Sequence, residues 1–165
     1  MHGYDPAAWT AFFTAITGAA AALAGLLFVA VSINLDNILK GTAMLPARAA
    51  ETLAMLLFVV TSSALALVPQ GVRLLGAEIL AIAAPMTVIT VRNQLKFQRQ
   101  NPDSPLRWSV SRMTASGVAL SSGIIAGISL AAHWGGGLYW LAPTALLGIA
   151  GAVYSAWVLL VEIVR

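Results

Sequence analysis

The chain has 165 residues, of which 59% are hydrophobic and only 9% are charged, and its mean hydropathy is +0.87. A soluble domain of this size cannot hide so much apolar surface from water, so the composition predicts one all-α domain, residues 1–165, within a membrane. The formal net charge of +3 comes from sparse charges near the ends of apolar segments, a pattern typical of membrane topology signals and not of nucleic-acid binding.

Five apolar segments are long enough to form membrane-spanning helices. The first carries no charge, and at roughly 1.5 Å per residue it forms a helix of about 39 Å, which crosses a hydrocarbon core of about 30 Å with a tilt. It lacks the basic start of a signal peptide, so we expect it to be retained. Breaks rich in Pro and Gly separate the segments, the last of them with three consecutive glycines at 135–137. The predicted spans are residues 9–34, 49–68, 74–91, 113–132 and 138–161.

The basic residues predict the orientation of this bundle. Only Arg73 lies on one side of the predicted membrane, and the other Lys and Arg residues lie on the opposite side. Because basic residues near span ends stay in the cytoplasm, we expect the N-terminus outside and the C-terminus in the cytoplasm, which requires an odd number of spans. Tyr4, Trp9, Trp134 and Tyr139 then fall at the outer interface, where aromatic side chains are favoured.

Small and hydroxyl-bearing residues follow one face of the first predicted helix, interrupted by Phe28. In lipid, such a face is useful only against another helix, because small residues permit close approach of two backbones. We therefore expect this face to be buried in the bundle or in a contact between subunits, and it can pack helices or line a pore. Its members are Thr10, Thr14, Thr17, Ala21, Gly25, Ser32 and, at its end, Asp36.

The fourth and fifth predicted helices carry further small-residue pairs. Gly123 and Gly127 have the GxxxG spacing, and Gly148 and Ala152 are spaced in the same way. Several such pairs predict tight helix packing, within one chain or between copies. Five short helices offer few places to bury all these faces, so we expect a homo-oligomer.

Three segments of the first half resemble a known family. They read AGLLFVAVSINLDNIL at residues 24–39, LPARAAETLAML at residues 45–56 and LGAEILA at residues 75–81. In them the chain resembles a family of small bacterial membrane proteins without established function, some of which are labelled modulators of the FtsH protease. The resemblance implies the bacterial inner membrane as the location.

Glu78 is the ionisable residue that stands out in a predicted span. Other acidic residues have a basic residue three or four positions away, as Glu51 has Arg48, and these pairs predict contacts at the membrane interface. Glu78 has only apolar residues at those positions, so it is a candidate ion or proton site. The alternatives are that its carboxylate reaches the outer interface or pairs with Arg73 of a neighbouring chain. Pro85, further along, can bend the same helix or free a carbonyl for the site.

A basic segment separates the third and fourth predicted spans and is interleaved with Phe97 and Trp108. Such a segment suits anionic lipid headgroups or a protein partner, and positive-inside topology alone also explains it. Its basic members are Arg92, Lys96, Arg99, Arg107 and Arg112.

The sequence contains no catalytic or nucleotide-binding motif, so we expect no enzyme and no cofactor. It has no cysteine, which excludes thiolate metal or redox chemistry, and the spacing of His2, Asp5 and His133 does not require a metal site. We expect a homo-oligomeric channel or permeation-type bundle for a small ion or solute. The alternative is a non-conducting accessory or regulatory subunit of a membrane complex, for example of a membrane protease.

Overall fold

The computed structural model describes residues 2–40, 44–100 and 106–164, and within these ranges the protein contains helices and no strand. The all-helical prediction is confirmed. Short 3-10 helices occupy His2–Tyr4, Pro6–Trp9 and Gly137–Trp140. The α-helices are α1 (Thr10–Ile33), α2 (Leu35–Lys40), α3 (Met44–Leu67), α4 (Val72–Gln100), α5 (Leu106–Ala132) and α6 (Leu141–Val164).

Four helical segments of the described chain are long and apolar enough to cross a membrane. They are Pro6–Ile33, Pro46–Leu67, Val72–Lys96 and Gly137–Trp157, and α5 adds the shorter apolar stretch Ser116–Ala132. These segments fit an integral membrane protein. The fifth span and the orientation stay predictions.

The first apolar run of the sequence is divided by Asn34. Its side-chain amide donates a hydrogen bond to the carbonyl oxygen of Ala30 at 2.9 Å, and its backbone N–H donates to the same oxygen at 3.3 Å. Asparagine side chains compete in this way with the helical backbone ladder. Residues 35–40 therefore form a separate helix, α2.

Long helices that are consecutive in the chain pack against each other in pairs, and the pairs form one bundle. α1 packs on α3, α4 packs on α5, and α6 packs on both α3 and α5. α4 and α5 approach closely at a point where a Cβ on Gly76 would lie 2.8 Å from the carbonyl oxygen of Gly127. A hydrogen bond of 2.9 Å between the buried hydroxyls of Ser122 and Thr144 joins α5 to α6. Side chains of α5 and α6 thus meet inside the bundle.

The N-terminal segment is fastened to the turn between α5 and α6, at the end of the bundle that also holds Trp9 and Tyr139. The Tyr4 hydroxyl accepts a hydrogen bond from the N–H of Gly136 at 3.1 Å, and its ring stacks on His133 at 4.4 Å. Gly135, Gly136 and Gly137 all have positive φ, which glycine adopts without strain. We call this region the aromatic end, and the opposite end, where α3 begins and α4 ends, the basic end.

Candidate functional site

A cavity of about 60 Å³, with polar side chains in part of its wall, lies between α3, α4, α5 and α6, toward the basic end. Met55, Met86 and Leu147 form the apolar part of its wall. We call it the Arg48 cavity, because the Arg48 side chain in its wall is only 5% exposed. The polar side chains of the wall are Arg48, Glu51, Thr52, Thr90, Ser116, Tyr154 and Ser155.

Helical spacing explains how α3 and α4 bring these groups together. Arg48, Glu51, Thr52 and Met55 follow one another at intervals of three, one and three residues, which places them on one face of α3. Met86 and Thr90 are four residues apart on α4 and share a face in the same way.

Small residues of α6 leave the space for the cavity. Gly148, Gly151 and Ala152 line it without bulky side chains. Gly148 also brings α6 close to α3, since a Cβ at this position would lie 2.6 Å from a methyl carbon of Val59. The close contact of α3 with α6 and the cavity beside it therefore depend on the same glycine.

Gln94 connects three helices beside the cavity. Its side-chain amide donates one hydrogen bond to Glu51 Oε1 on α3 and one to Ser116 Oγ on α5, both at 2.9 Å. These two bonds use both hydrogens of the amide nitrogen. Gln94 is buried although it lies in the apolar segment Val72–Lys96, so its hydrogen bonds hold the polar wall together inside the bundle.

The electrostatics of the Arg48 cavity combine one positive and one negative side chain. Burying a single charge among apolar helices is costly, whereas opposite charges in the same place reduce that cost. Arg48 and Glu51 supply the two signs, and hydroxyls of Thr52, Thr90 and Ser116 surround them. The wall thus places opposite charges and hydroxyl groups close together inside an apolar bundle.

Glu78 lies near the aromatic end. Its hydrogen-bond partner is not one of the residues three or four positions away on its own helix. Gln70, in the connection between α3 and α4, donates a hydrogen bond from Nε2 to Glu78 Oε2 at 2.7 Å and another to the carbonyl oxygen of Leu65 at 3.1 Å. The carboxylate is half-buried. Pro85 is exposed within α4, which continues without interruption on both sides of it. The ion or proton role of this pair stays a prediction.

The small-residue face of α1 points away from the described bundle. Thr10, Thr14, Ala21, Gly25 and Ser32 are exposed and Thr17 is half-buried, while α1 packs inward through residues such as Phe13 and Ala20. Burial of this face within its own bundle, one of the two expectations, is therefore not what the structure shows. Contact with another subunit stays a prediction. The hydroxyls of Thr17 and Ser32 donate to carbonyl oxygens of α1 itself, at 2.7 and 2.8 Å.

The two glycines of the fourth predicted helix face other helices of the same chain. A Cβ on Gly127 would lie 2.6 Å from Leu80 Cγ on α4, and a Cβ on Gly123 would lie 3.1 Å from the ring of Phe58 on α3. Both glycines therefore allow close packing within one bundle.

The remaining candidate residues lie at the two ends of the bundle. Arg92, Lys96 and Arg99 are exposed along the last turns of α4, whereas the side chains of Arg107 and Arg112 lie outside the described residues. At the aromatic end, His133 stacks on Tyr4. Among the described residues, no three His, Asp or Glu side chains lie close enough together to hold a metal ion.

The sequence did not predict the Arg48 cavity, because a local ion pair already accounts for the spacing of three residues between Arg48 and Glu51. A signal was present on α4, where the polar residues Thr90 and Gln94 are four positions apart in an apolar helix and so share a face.

Comparison of the chain with protein-family models, with curated proteins and with solved structures gives no match. The fold and the cavity alone define the class: over the described residues, a helical bundle with four candidate membrane spans and a cavity partly lined by polar side chains.

Proposed function

We propose that this protein is a homo-oligomeric, permeation-type protein of the bacterial inner membrane for a small ion or solute, with its N-terminus outside. The observation that carries the proposal is the Arg48 cavity, where a buried arginine, a glutamate and several hydroxyls meet among apolar helices. Ionisable residues within membrane helices are costly and mark pathways for ions and solutes. The proposed activity is binding and passage without a chemical reaction, and the proposed partners are lipids and further copies of the chain.

The decisive experiment is flux into proteoliposomes that contain the purified protein. We expect protein-dependent flux of a small ion or solute, and we expect Glu51→Gln to reduce it about tenfold, because the change removes the negative charge of the cavity and keeps its shape. Asp5→Asn is the matched control, since Asp5 is an exposed carboxylate at the aromatic end, away from the cavity. Flux that is equal in Glu51→Gln and wild type would contradict the role of the cavity.

Glu78→Gln, measured beside it, tests the second carboxylate. Reduced flux would place Glu78 on the route. Unchanged flux would retain permeation and remove Glu78 from it.

Assembly through α1 gives a separate prediction. Ala21 and Ala22 are both exposed, but successive helical residues are turned by about 100°, so only Ala21 lies on the small-residue face. We expect Ala21→Leu to shift the purified protein toward monomers and Ala22→Leu to leave the oligomer intact, because a larger side chain blocks close helix approach. Light scattering in detergent measures the mass. Identical masses for wild type and both variants would contradict assembly through this face.

The alternative function is a non-conducting accessory subunit of a membrane complex. Arg92, Lys96 and Arg99 favour it, since their exposed side chains form a cationic surface along the last turns of α4 that a partner can contact. Absence of flux for protons, potassium, sodium, chloride and small polar solutes, together with a monomer that co-purifies with a larger complex, would select this alternative.

A further inference from the structure

We infer that the last turns of α4 bind the headgroup of an anionic phospholipid through Arg92, Lys96 and Arg99, which we call the cationic face. This site gives the lipid partner of the proposed function a chemical class. It rests on the membrane location in that proposal and not on permeation. Three observations lead to it: the position of the cations around the helix, the apolar residues beside them and their depth in the membrane.

The cationic face points away from the bundle. Its three residues follow one another at intervals of four and three positions, and at about 100° per residue they lie within about 60° of one another around the helix axis. All three side chains are exposed. Gln94, which bonds Glu51, is buried on the opposite side of α4. The carboxylate of Glu51 therefore lies on the inner side of the helix, away from the cations.

Apolar residues extend the cationic face along the membrane part of α4. Val88 and Leu95 are 52% and 44% exposed, and Pro85 is exposed as well. Helical spacing places all three within about 60° of Arg92. A lipid can therefore lay its acyl chains along Pro85 and Val88 while its headgroup contacts the cations. A soluble acidic protein would use the cations alone, so the surface as a whole favours a phospholipid.

The depth of the cationic face matches the level of the lipid headgroups. The apolar segment Val72–Lys96 has 25 residues, so at 1.5 Å per residue it is about 37 Å long and exceeds a hydrocarbon core of about 30 Å by about 7 Å. The rise from Arg92 to Lys96 is about 6 Å, so both residues can lie at the headgroup level. A charge that faces lipid is costly without an opposite charge nearby, and the lipid phosphates supply that charge at this level.

The spacing of the cations suits a phosphate group. Residues three and four positions apart on a helix have Cβ atoms about 5–6 Å apart, so neighbouring cations can reach oxygens of the same phosphate. A guanidinium binds phosphate through two parallel hydrogen bonds, and a lysine adds a point charge. Phosphatidylcholine carries a positive group that cancels the charge of its phosphate. Phosphatidylglycerol has no such group, and the cationic face therefore prefers it.

The test uses the absence of cysteine from the chain, which allows a fluorescent probe to be attached at one chosen position. Leu95→Cys places the probe on the cationic face. Ile33→Cys is the matched control, because Ile33 is 78% exposed at the end of α1 and α1 packs on α3, not on the cationic face. The labelled full chain is reconstituted in phosphatidylcholine vesicles with a minor fraction of phosphatidylglycerol, and a nitroxide on one lipid or the other quenches the probe.

We expect the relative association constant of phosphatidylglycerol over phosphatidylcholine to be about tenfold or more at Leu95→Cys and about one at Ile33→Cys. Arg92→Gln is expected to lower the preference about fivefold, because each basic residue near the headgroups adds about that factor. Arg92→Gln combined with Asn93→Arg keeps the net charge but turns the cation by about 100° around α4. Both positions are exposed, and we expect the combined variant to lose as much preference as Arg92→Gln alone.

Several results would overturn the site. Equal quenching by the two lipids at Leu95→Cys, or an undiminished preference in the combined variant, would each do so. Quenching by neither lipid at Leu95→Cys, with normal quenching at Ile33→Cys, would show that a second copy or another protein covers the face. Loss of the preference when inorganic phosphate replaces chloride at equal ionic strength would indicate a site for soluble phosphate. A preference for phosphatidylglycerol without any flux would retain this site and remove permeation, and flux without the preference would do the reverse.

Discussion

Replacing Gly76 by alanine is expected to destabilise the bundle by up to about 2 kcal/mol. A Cβ at this position would lie 2.5 Å from the backbone nitrogen of Ala131 and 2.8 Å from the carbonyl oxygen of Gly127. Both are backbone atoms of α5, so no side-chain rotation relieves the clash and the two helices must separate. Overpacking of this kind costs about 1–3 kcal/mol, and the better helix propensity of alanine offsets about 1 kcal/mol of it.

Unfolding in a detergent titration, followed by circular dichroism, measures this change. Gly117→Ala is the matched control, because Gly117 also lies within a helix and a Cβ there would meet nothing within 4 Å. The control is expected to be as stable as wild type or up to about 1 kcal/mol more stable. Equal stability of Gly76→Ala and Gly117→Ala would show that α4 and α5 do not approach as closely as described.

Replacing Gln94 by leucine is expected to destabilise the protein by about 2–3 kcal/mol and to disrupt the Arg48 cavity. The change removes the donor that bonds Glu51 and Ser116, each at 2.9 Å. Removing a hydrogen bond from a half-buried carboxylate costs more stability than removing one from a neutral group. Leucine itself is favourable in an apolar helix, so the expected loss of stability comes from the missing hydrogen bonds to Glu51 and Ser116.

Asn93→Leu is the control for this change, since Asn93 is the adjacent residue and is exposed. The same detergent titration compares the two variants, and flux into proteoliposomes reports on the cavity. We expect Asn93→Leu to resemble wild type in both measurements. Wild-type stability of Gln94→Leu would mean that the bonds to Glu51 and Ser116 do not hold the wall together.

The positions of the helices were largely predictable from the sequence, because hydropathy and Gly or Pro breaks act locally. The first predicted span, residues 9–34, corresponds to α1, Thr10–Ile33, and the three glycines at 135–137 lie in the turn between α5 and α6. The predicted third span ended at residue 91, whereas α4 continues to Gln100. Hydropathy reports where a helix leaves the apolar region, and helical structure extends beyond that point.

The candidate site was less predictable, because its contacts join residues that are distant in sequence. Helical spacing identifies which residues share a face, as for Arg48 and Glu51, but not that Gln94 of another helix bonds that face. It likewise does not reveal that Gln70, eight positions before Glu78 and outside the helix, supplies a donor to its carboxylate. The sequence therefore predicts which residues share one face of a helix, and the packing of the helices decides which of these faces contact each other.

The fastening of the N-terminal segment at the aromatic end has a consequence for the order in which the protein is made. Tyr4 and Gly136, which share a hydrogen bond, are separated by 132 positions, so the ribosome must synthesise most of the chain before this contact can form. α1 can pack on α3 much earlier, because α3 begins at Met44, soon after α1 ends at Ile33. A nascent chain halted after α4 therefore already contains the pair of α1 and α3. The turn between α5 and α6, which binds its first residues, has not yet been synthesised.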